Sequence, residues 1–172
     1  MDIFVNLAKK SIESYVKNQR VLAVPQKLSQ GMKKRAAVFV SLHKKSTGEL
    51  RGCIGTFFPT CKNIASEIIQ NSISACSTDP RFPPVQSKEL KDLEISVDIL
   101  STPEPAKKEG LDPKKYGIIV KSPSGQMGLL LPDISSVKTI EQQIEICCQK
   151  AGIGINEPIE IYRFTVERHK EN

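Results

Sequence analysis

At 172 residues, with 39% hydrophobic and 26% charged side chains, Gly 10 and Pro 11, the chain has the make-up of one globular domain able to bury its own core; collagenous, coiled-coil and mainly disordered chains are excluded. No apolar run approaches the roughly 18 residues of a membrane span, and the start lacks the basic and apolar regions of a secretory leader, so the expectation is a cytoplasmic protein with no membrane partner. The net charge of +6 is concentrated before residue 52, where 11 Lys/Arg face only Asp2, Glu13 and Glu49 for a local balance of +8, which suits an acidic partner or nucleic acid, or else a solvated lysine-rich face.

Ile3, Leu7, Ala8, Ile12, Tyr15 and Val16 recur at three- and four-residue steps and predict an amphipathic helix over residues 3–18. Gln19 to Arg35, with Pro25 and Gly31, reads as a loop before a strand over Ala36 to His43. Ser46-Thr47-Gly48 gives a hairpin turn into a second strand, Glu49 to Phe58, in which Gly52 and Gly55 mark close backbone approach. Pro59 stops that strand, Thr60 is the expected N-cap, and Ile64, Ala65, Ile68, Ile69, Ser72, Ile73 and Cys76 form the stripe of a second helix. The prolines of residues 77–86 make a stiff loop. Leu93, Ile95, Val97 and Ile99 then alternate with Glu94, Ser96 and Asp98 as a strand with one wet face.

A surface connection through Pro103 and Pro105 leads to a hairpin, Tyr116 to Lys121 with Met127 to Leu131. Thr139 and Gln142 form a capping box for a helix from Ile140 to Ala151, which Gly152 ends, and Ile159 to Val166 is the last strand. Hairpins mixed with isolated helices favour an α+β fold with a mostly antiparallel sheet flanked by helices. No internal repeat is visible.

The segment Leu50-Arg51-Gly52-Cys53-Ile54-Gly55-Thr56-Phe57 (LRGCIGTF) resembles the signature of the AMMECR domain family. Asp79-Pro80-Arg81-Phe82-Pro83-Pro84-Val85, Tyr116-Gly117-Ile118-Ile119-Val120 and Gly128-Leu129-Leu130-Leu131-Pro132 are similar to its further motifs, in order and spacing. With Glu141-Gln142-Gln143 and Lys150-Ala151-Gly152-Ile153, the chain resembles the prokaryotic branch of the AmmeMemoRadiSam system. The resemblance covers essentially the whole chain and implies one domain, residues 1–172, with a larger and a smaller lobe. It also implies association with a Memo-like protein and a radical SAM protein. The family has no assigned reaction, so the resemblance implies a fold more than a function.

Cys53 and Asp79 are the candidate catalytic residues, and Arg51, Gly52, Gly55, Thr56 and Arg81 the candidate ligand-binding set. Flanking glycines open the backbone beside the Cys53 thiol, and Arg51 or Arg81 nearby would favour its thiolate; alternatively Cys53 is a small packing residue and the glycines admit a neighbouring element. Asp79 and Arg81, fixed by Pro80, either orient a substrate or form an Asp turn with an ion pair that positions the loop. Arg51, Arg81 and the start of the helix after Thr60 together would bind a small anion. Asp133 is a turn cap or general base. Of Cys147 and Cys148, about 100° apart on a helix, one faces the core.

The five cysteines are odd in number and scattered, unlike a disulfide framework, so reduced thiols are expected, and neither a metal nor a cofactor is called for by any ligand spacing. Two function classes follow. One is a cleft protein that binds or transforms a small anionic or amide-like substrate. The other is an interaction or regulatory module that binds protein or RNA through the basic N-terminal third. Nucleic acid is disfavoured, because the chain has no Trp and Tyr15, Phe39, Phe57, Phe58 and Phe82 fall where core or loop anchors belong.

Overall fold

The computed structural model describes residues 2–171. Its first helix, α1 (Ile3–Asn18), begins where Asp2 accepts the N–H groups of Phe4 and Val5 and ends at Gln19 in the left-handed conformation, with Phe4, Val5, Leu7, Ala8 and Ile12 on the buried side. The segment read as loop contains a single turn of helix, α2 (Gln30–Lys33), capped by Ser29 and anchored by buried Met32.

Strands β1 (Val38–Lys44) and β2 (Leu50–Gly55) form the expected hairpin, its turn closed by Gly48 at φ 73°. β2 stops at Gly55, three residues short of the predicted end. Helix α3 (Ile64–Ser77) is capped by Asn63, whose side chain accepts the Ser66 N–H, and not by Thr60. A 3-10 helix over Ser87–Asp92, which the sequence pattern does not announce, precedes β3 (Leu93–Leu100). Asp98 of β3 is buried, contrary to the wet face expected for it, because Arg168 holds both of its carboxylate oxygens at 2.8 and 3.0 Å.

Downstream lie a two-residue strand, β4 (Glu104–Pro105), the hairpin β5 (Gly117–Lys121) with β6 (Met127–Leu130), and helix α4 (Ile140–Ala151) with the predicted capping box and Gly152 in the left-handed region. The last predicted strand divides at Thr165 into β7 (Glu160–Phe164) and β8 (Val166–Lys170), which join different sheets. Both Cys147 and Cys148 are buried, not one.

The α+β class with antiparallel pairing and flanking helices is thus what the chain adopts. It forms two compact units. The first holds residues 2–99 and 167–171, the second Leu100–Val166. In the first, the sheet runs β2-β1-β3-β8, and α3 packs against β1, β2 and α1 over a core that includes Val38, Val40, Leu42, Ile68 and Val97. In the second, the sheet runs β4-β7-β5-β6, and α4 covers β5 and β6 over Ile118, Val120, Leu130 and Cys147.

The two units share a chain path that no sequence repeat betrays: hairpin, helix, then a strand antiparallel to the first hairpin strand, leaving the second hairpin strand at the sheet edge. In each, a buried helix amide bonds a carbonyl at the head of the hairpin. Asn71 donates to Val38 at 2.9 Å, and Gln143 donates to Tyr116 at 2.8 Å.

Candidate functional site

The candidate residues gather on the free edge of the first sheet. Strand β2 has a neighbour on one side only, so alternate residues point a backbone N–H and C=O outward with no strand to meet them. At Cys53 two side chains take the place of that strand. Asp79 Oδ2 accepts the Cys53 N–H at 2.9 Å, and Arg81 Nη2 donates to the Cys53 carbonyl at 3.0 Å.

Asp79 and Arg81 are themselves locked together across Pro80. Asp79 Oδ1 accepts the Arg81 backbone N–H at 3.1 Å, an Asp turn, and the guanidinium Nε at 3.0 Å, while Oδ2 accepts Nη2 at 2.8 Å. The Arg81 guanidinium above all, with the two backbone N–H groups, holds the buried Asp79 carboxyl well below its ordinary value, at about 2. Of the two readings of this loop, the Asp turn with a positioning ion pair is the geometry present.

Cys53 is half buried, and its sulfur accepts the Ser41 hydroxyl at 3.2 Å from the facing strand. Burial pushes its thiol up; Ser41 and the Arg81 charge pull the other way and do not prevail. Of the two readings of Cys53, the geometry present is that of a packing residue and not of a cation-favoured thiolate, and Arg51 is committed elsewhere. Arg51 is buried and makes a two-pronged pair with Glu89, Nε to Oε1 at 2.8 Å and Nη2 to Oε2 at 3.2 Å. Its guanidinium and that of Arg81 lie 6.0 and 5.4 Å from the Phe82 ring centroid.

The spaces left by the two glycines are filled from within the protein. A Cβ on Gly52 would lie 2.2 Å from the Ala75 carbonyl oxygen of α3, and one on Gly55 would lie 2.2 Å from the Phe39 ring on β1. Neither opens the backbone to a ligand at its Cα. The anion corner expected at the helix start is also occupied. Glu67, on the first turn of α3, accepts the backbone N–H groups of Thr60 at 2.6 Å and Cys61 at 3.0 Å, together with the hydroxyls of Thr60 and Thr56.

Glu67, Glu89 and Ser41 are the working residues that the sequence reading missed. Glu67 did carry a signal, a carboxylate set within the apolar stripe of α3. Asp133, in the second unit, is exposed, with φ 58°, and its N–H bonds the Pro113 carbonyl. Phe58, expected as an anchor, is exposed. All five cysteines are free thiols. Among the described residues no group of three or more His, Cys, Asp or Glu is placed to hold a metal, and no helix is long and apolar enough to cross a membrane.

This mixed architecture, with its antiparallel sheets and the edge clamp at Cys53, places the chain in the α+β class. The profile of the AMMECR1 family matches residues 5–169, and the chain belongs to that family. It is 51% identical to a Thermotoga maritima protein over 97% of each chain. It is 46% identical to a Clostridium acetobutylicum protein over 99% of this chain, which spans only 36% of that longer relative. The crystal structure of uncharacterized protein PH0010 from Pyrococcus horikoshii superposes with a TM-score of 0.89 at 29% identity, covering 98% of this chain and 90% of that one.

Proposed function

We propose that this protein works as a binding module, not as a catalyst, engaging partner proteins through the surface built on residues 50–57 and 79–85. The clamp at Cys53 carries the reading. Asp79 and Arg81 spend their charge on each other and on one peptide group, Arg51 is bound to Glu89, and the Cys53 thiol stays protonated. The set offers neither a free base nor an activated nucleophile.

What faces outward is the half-exposed Arg81 beside Phe82, on a loop stiffened by Pro80, Pro83 and Pro84. A rigid arginine and aromatic pair is the kind of feature that dominates protein contacts. The partners proposed are a Memo-like protein and a radical SAM protein, met in the cytoplasm. In the Clostridium acetobutylicum relative the matching chain is joined to further sequence, an arrangement that raises the effective concentration of one module beside another.

Calorimetric titration of the full chain with each partner, singly and together, tests the proposal. Binding is expected, and Arg81→Ala, which also leaves Asp79 unpaired and so lowers the melting temperature, weakens it by about tenfold or more when titrated well below that temperature. No binding to either partner overturns it. A second reading, capture of a small anionic or amide-like ligand, draws on Arg81 Nη1, which makes no hydrogen bond among the described residues. Thermal stabilisation by phosphate or a small carboxylate, absent in Arg81→Ala, would favour that reading instead.

A further inference from the structure

Five large hydrophobic side chains stand exposed among the described residues, and three of them, Ile3, Val21 and Val24, belong to the first turn of α1 or to the irregular segment that follows α1. Between helix and segment lies a groove of about 520 Å³. Ile3, Leu22 and Pro25 give it an accessible apolar lining over a floor of Leu7 and Met32, the exposed Lys10 and Lys27 also line it, and among the described residues no acidic side chain does. Among the described residues neither lysine is spent in an ion pair, and the paired lysines of this unit are Lys9, Lys17, Lys44 and Lys45.

The segment is tied down at both ends and idle between them. Arg20 donates its N–H to Ser14, and Ser29 caps α2. Among the described residues, no backbone hydrogen bond joins residues 21–28 to any other part of the chain. An apolar stretch held in place with its own backbone groups unspent is suited to receive another chain.

We propose that this groove docks an acidic, apolar peptide segment of a partner protein. Apolar side chains of the peptide seat on Ile3, Leu22 and Pro25, and its carboxylates meet Lys10 and Lys27. Charge selects this occupant. A second copy would bring the same basic third, at +8 over residues 1–51, against itself. A nucleic acid would leave the apolar lining unused. The groove shares no residue with the Cys53 clamp, so this inference stands or falls apart from the reading above.

The test is an NMR titration of the labelled full chain with a probe peptide of alternating glutamate and leucine, and with a lysine and leucine peptide of equal length as control. Amide shifts confined to α1, the following segment and α2 are expected with the acidic peptide. Reversing both lysines, Lys10→Glu with Lys27→Glu, should weaken it by about tenfold or more and turn the preference toward the basic peptide. Both lysines are exposed, so the variant should melt where the native protein does, and Arg81→Ala should leave this binding unchanged. Equal binding of the two peptides, shifts that map elsewhere, preference for anionic lipid vesicles, or self-association through this face would each overturn the proposal.

Discussion

The Ala75 carbonyl oxygen of α3 rests directly on the Cα of Gly52 in β2, so close that a methyl group at Gly52 would overlap it at 2.2 Å. The second unit repeats the contact with other residues: a methyl at Gly128 of β6 would lie 2.1 Å from the Cys147 carbonyl oxygen of α4. In both places a helix backbone lies on an edge strand, and no rotamer change can relieve an intruding atom. Gly52→Ala and Gly128→Ala should each cost about 3 kcal/mol in urea unfolding. Gly55→Ala meets a side chain instead, and adding Phe39→Ala to it should recover part of the loss, whereas Ala75→Gly should recover nothing for Gly52→Ala. Equal behaviour of the two positions in that cycle would refute the assignment of backbone contact to one and ring contact to the other.

The clamp at Cys53 makes stability depend on acid. The Asp79 carboxyl, held at about 2 by Arg81 when folded, titrates near its ordinary 3.8 when unfolded. Its contribution is therefore complete above pH 4 and is lost as the pH falls through about 2. Because Arg81 is half exposed and screened by solvent, that contribution is at most about 2 kcal/mol. Asp79→Asn should be less stable than the native protein by that order at pH 7, with the gap closing toward pH 2. A gap that stays constant from pH 7 to pH 2 would show that the charge plays no part.

The three long helices were legible because their signals are local, although Asn63 and not Thr60 caps α3. The stripe from Ile3, the box at Thr139 and Gln142, and Gly152 each act within a turn or two, and all three hold. The burial of Asp98 was not legible, since its partner Arg168 is 70 residues away on a strand whose identity depends on the break at Thr165. The site divides the same way. Proline and glycine spacing picked out the Cys53 strand and the Asp79 loop, but nothing in the spacing said that Arg51 would be bound to Glu89 or that Ala75 and Phe39 would fill the gaps. The likeness of the two units lies in the path and in two kinds of contact, a glycine under a helix carbonyl and a helix amide on the hairpin, too few positions to show as a sequence repeat.

All five thiols are pushed above their ordinary value, burial being the first cause in every case, with Cys76 at about 11 and Cys147 at about 12. At pH 7.5 the folded protein should react with iodoacetamide more slowly than free cysteine does, with Cys76 and Cys147 last, and all five sites should alkylate rapidly once urea unfolds it. Peptide mass spectrometry over time reads each site separately. A Cys53 that outpaces free cysteine would restore the nucleophile reading. Fewer than five alkylatable sites in unfolded, unreduced protein would mean that a disulfide forms.

Glu67 is a buried anion of the first unit held by backbone N–H groups and hydroxyls without a cation, and its removal should leave a vacancy that can be filled. Burial alone would raise its carboxyl, but the N–H groups of Thr60 and Cys61 with the Thr60 hydroxyl outweigh burial and hold it below the ordinary value. A lowered folded value means that the contribution to stability is present above the unfolded carboxylate range and lost as the pH falls below it. Glu67→Gln, which keeps the shape and removes the charge, should lose about 2–3 kcal/mol at pH 7 and flatten the acid limb of the stability curve. Glu67→Ala goes further, leaving the Thr60 and Cys61 N–H groups without an acceptor beside the start of α3. Formate or acetate should then raise the melting temperature of Glu67→Ala and leave that of the native protein unchanged, and hydrogen exchange at the Thr60 and Cys61 amides should slow as the anion is added. If both amides stay protected in Glu67→Ala without any added anion, the carboxylate is not what holds this corner.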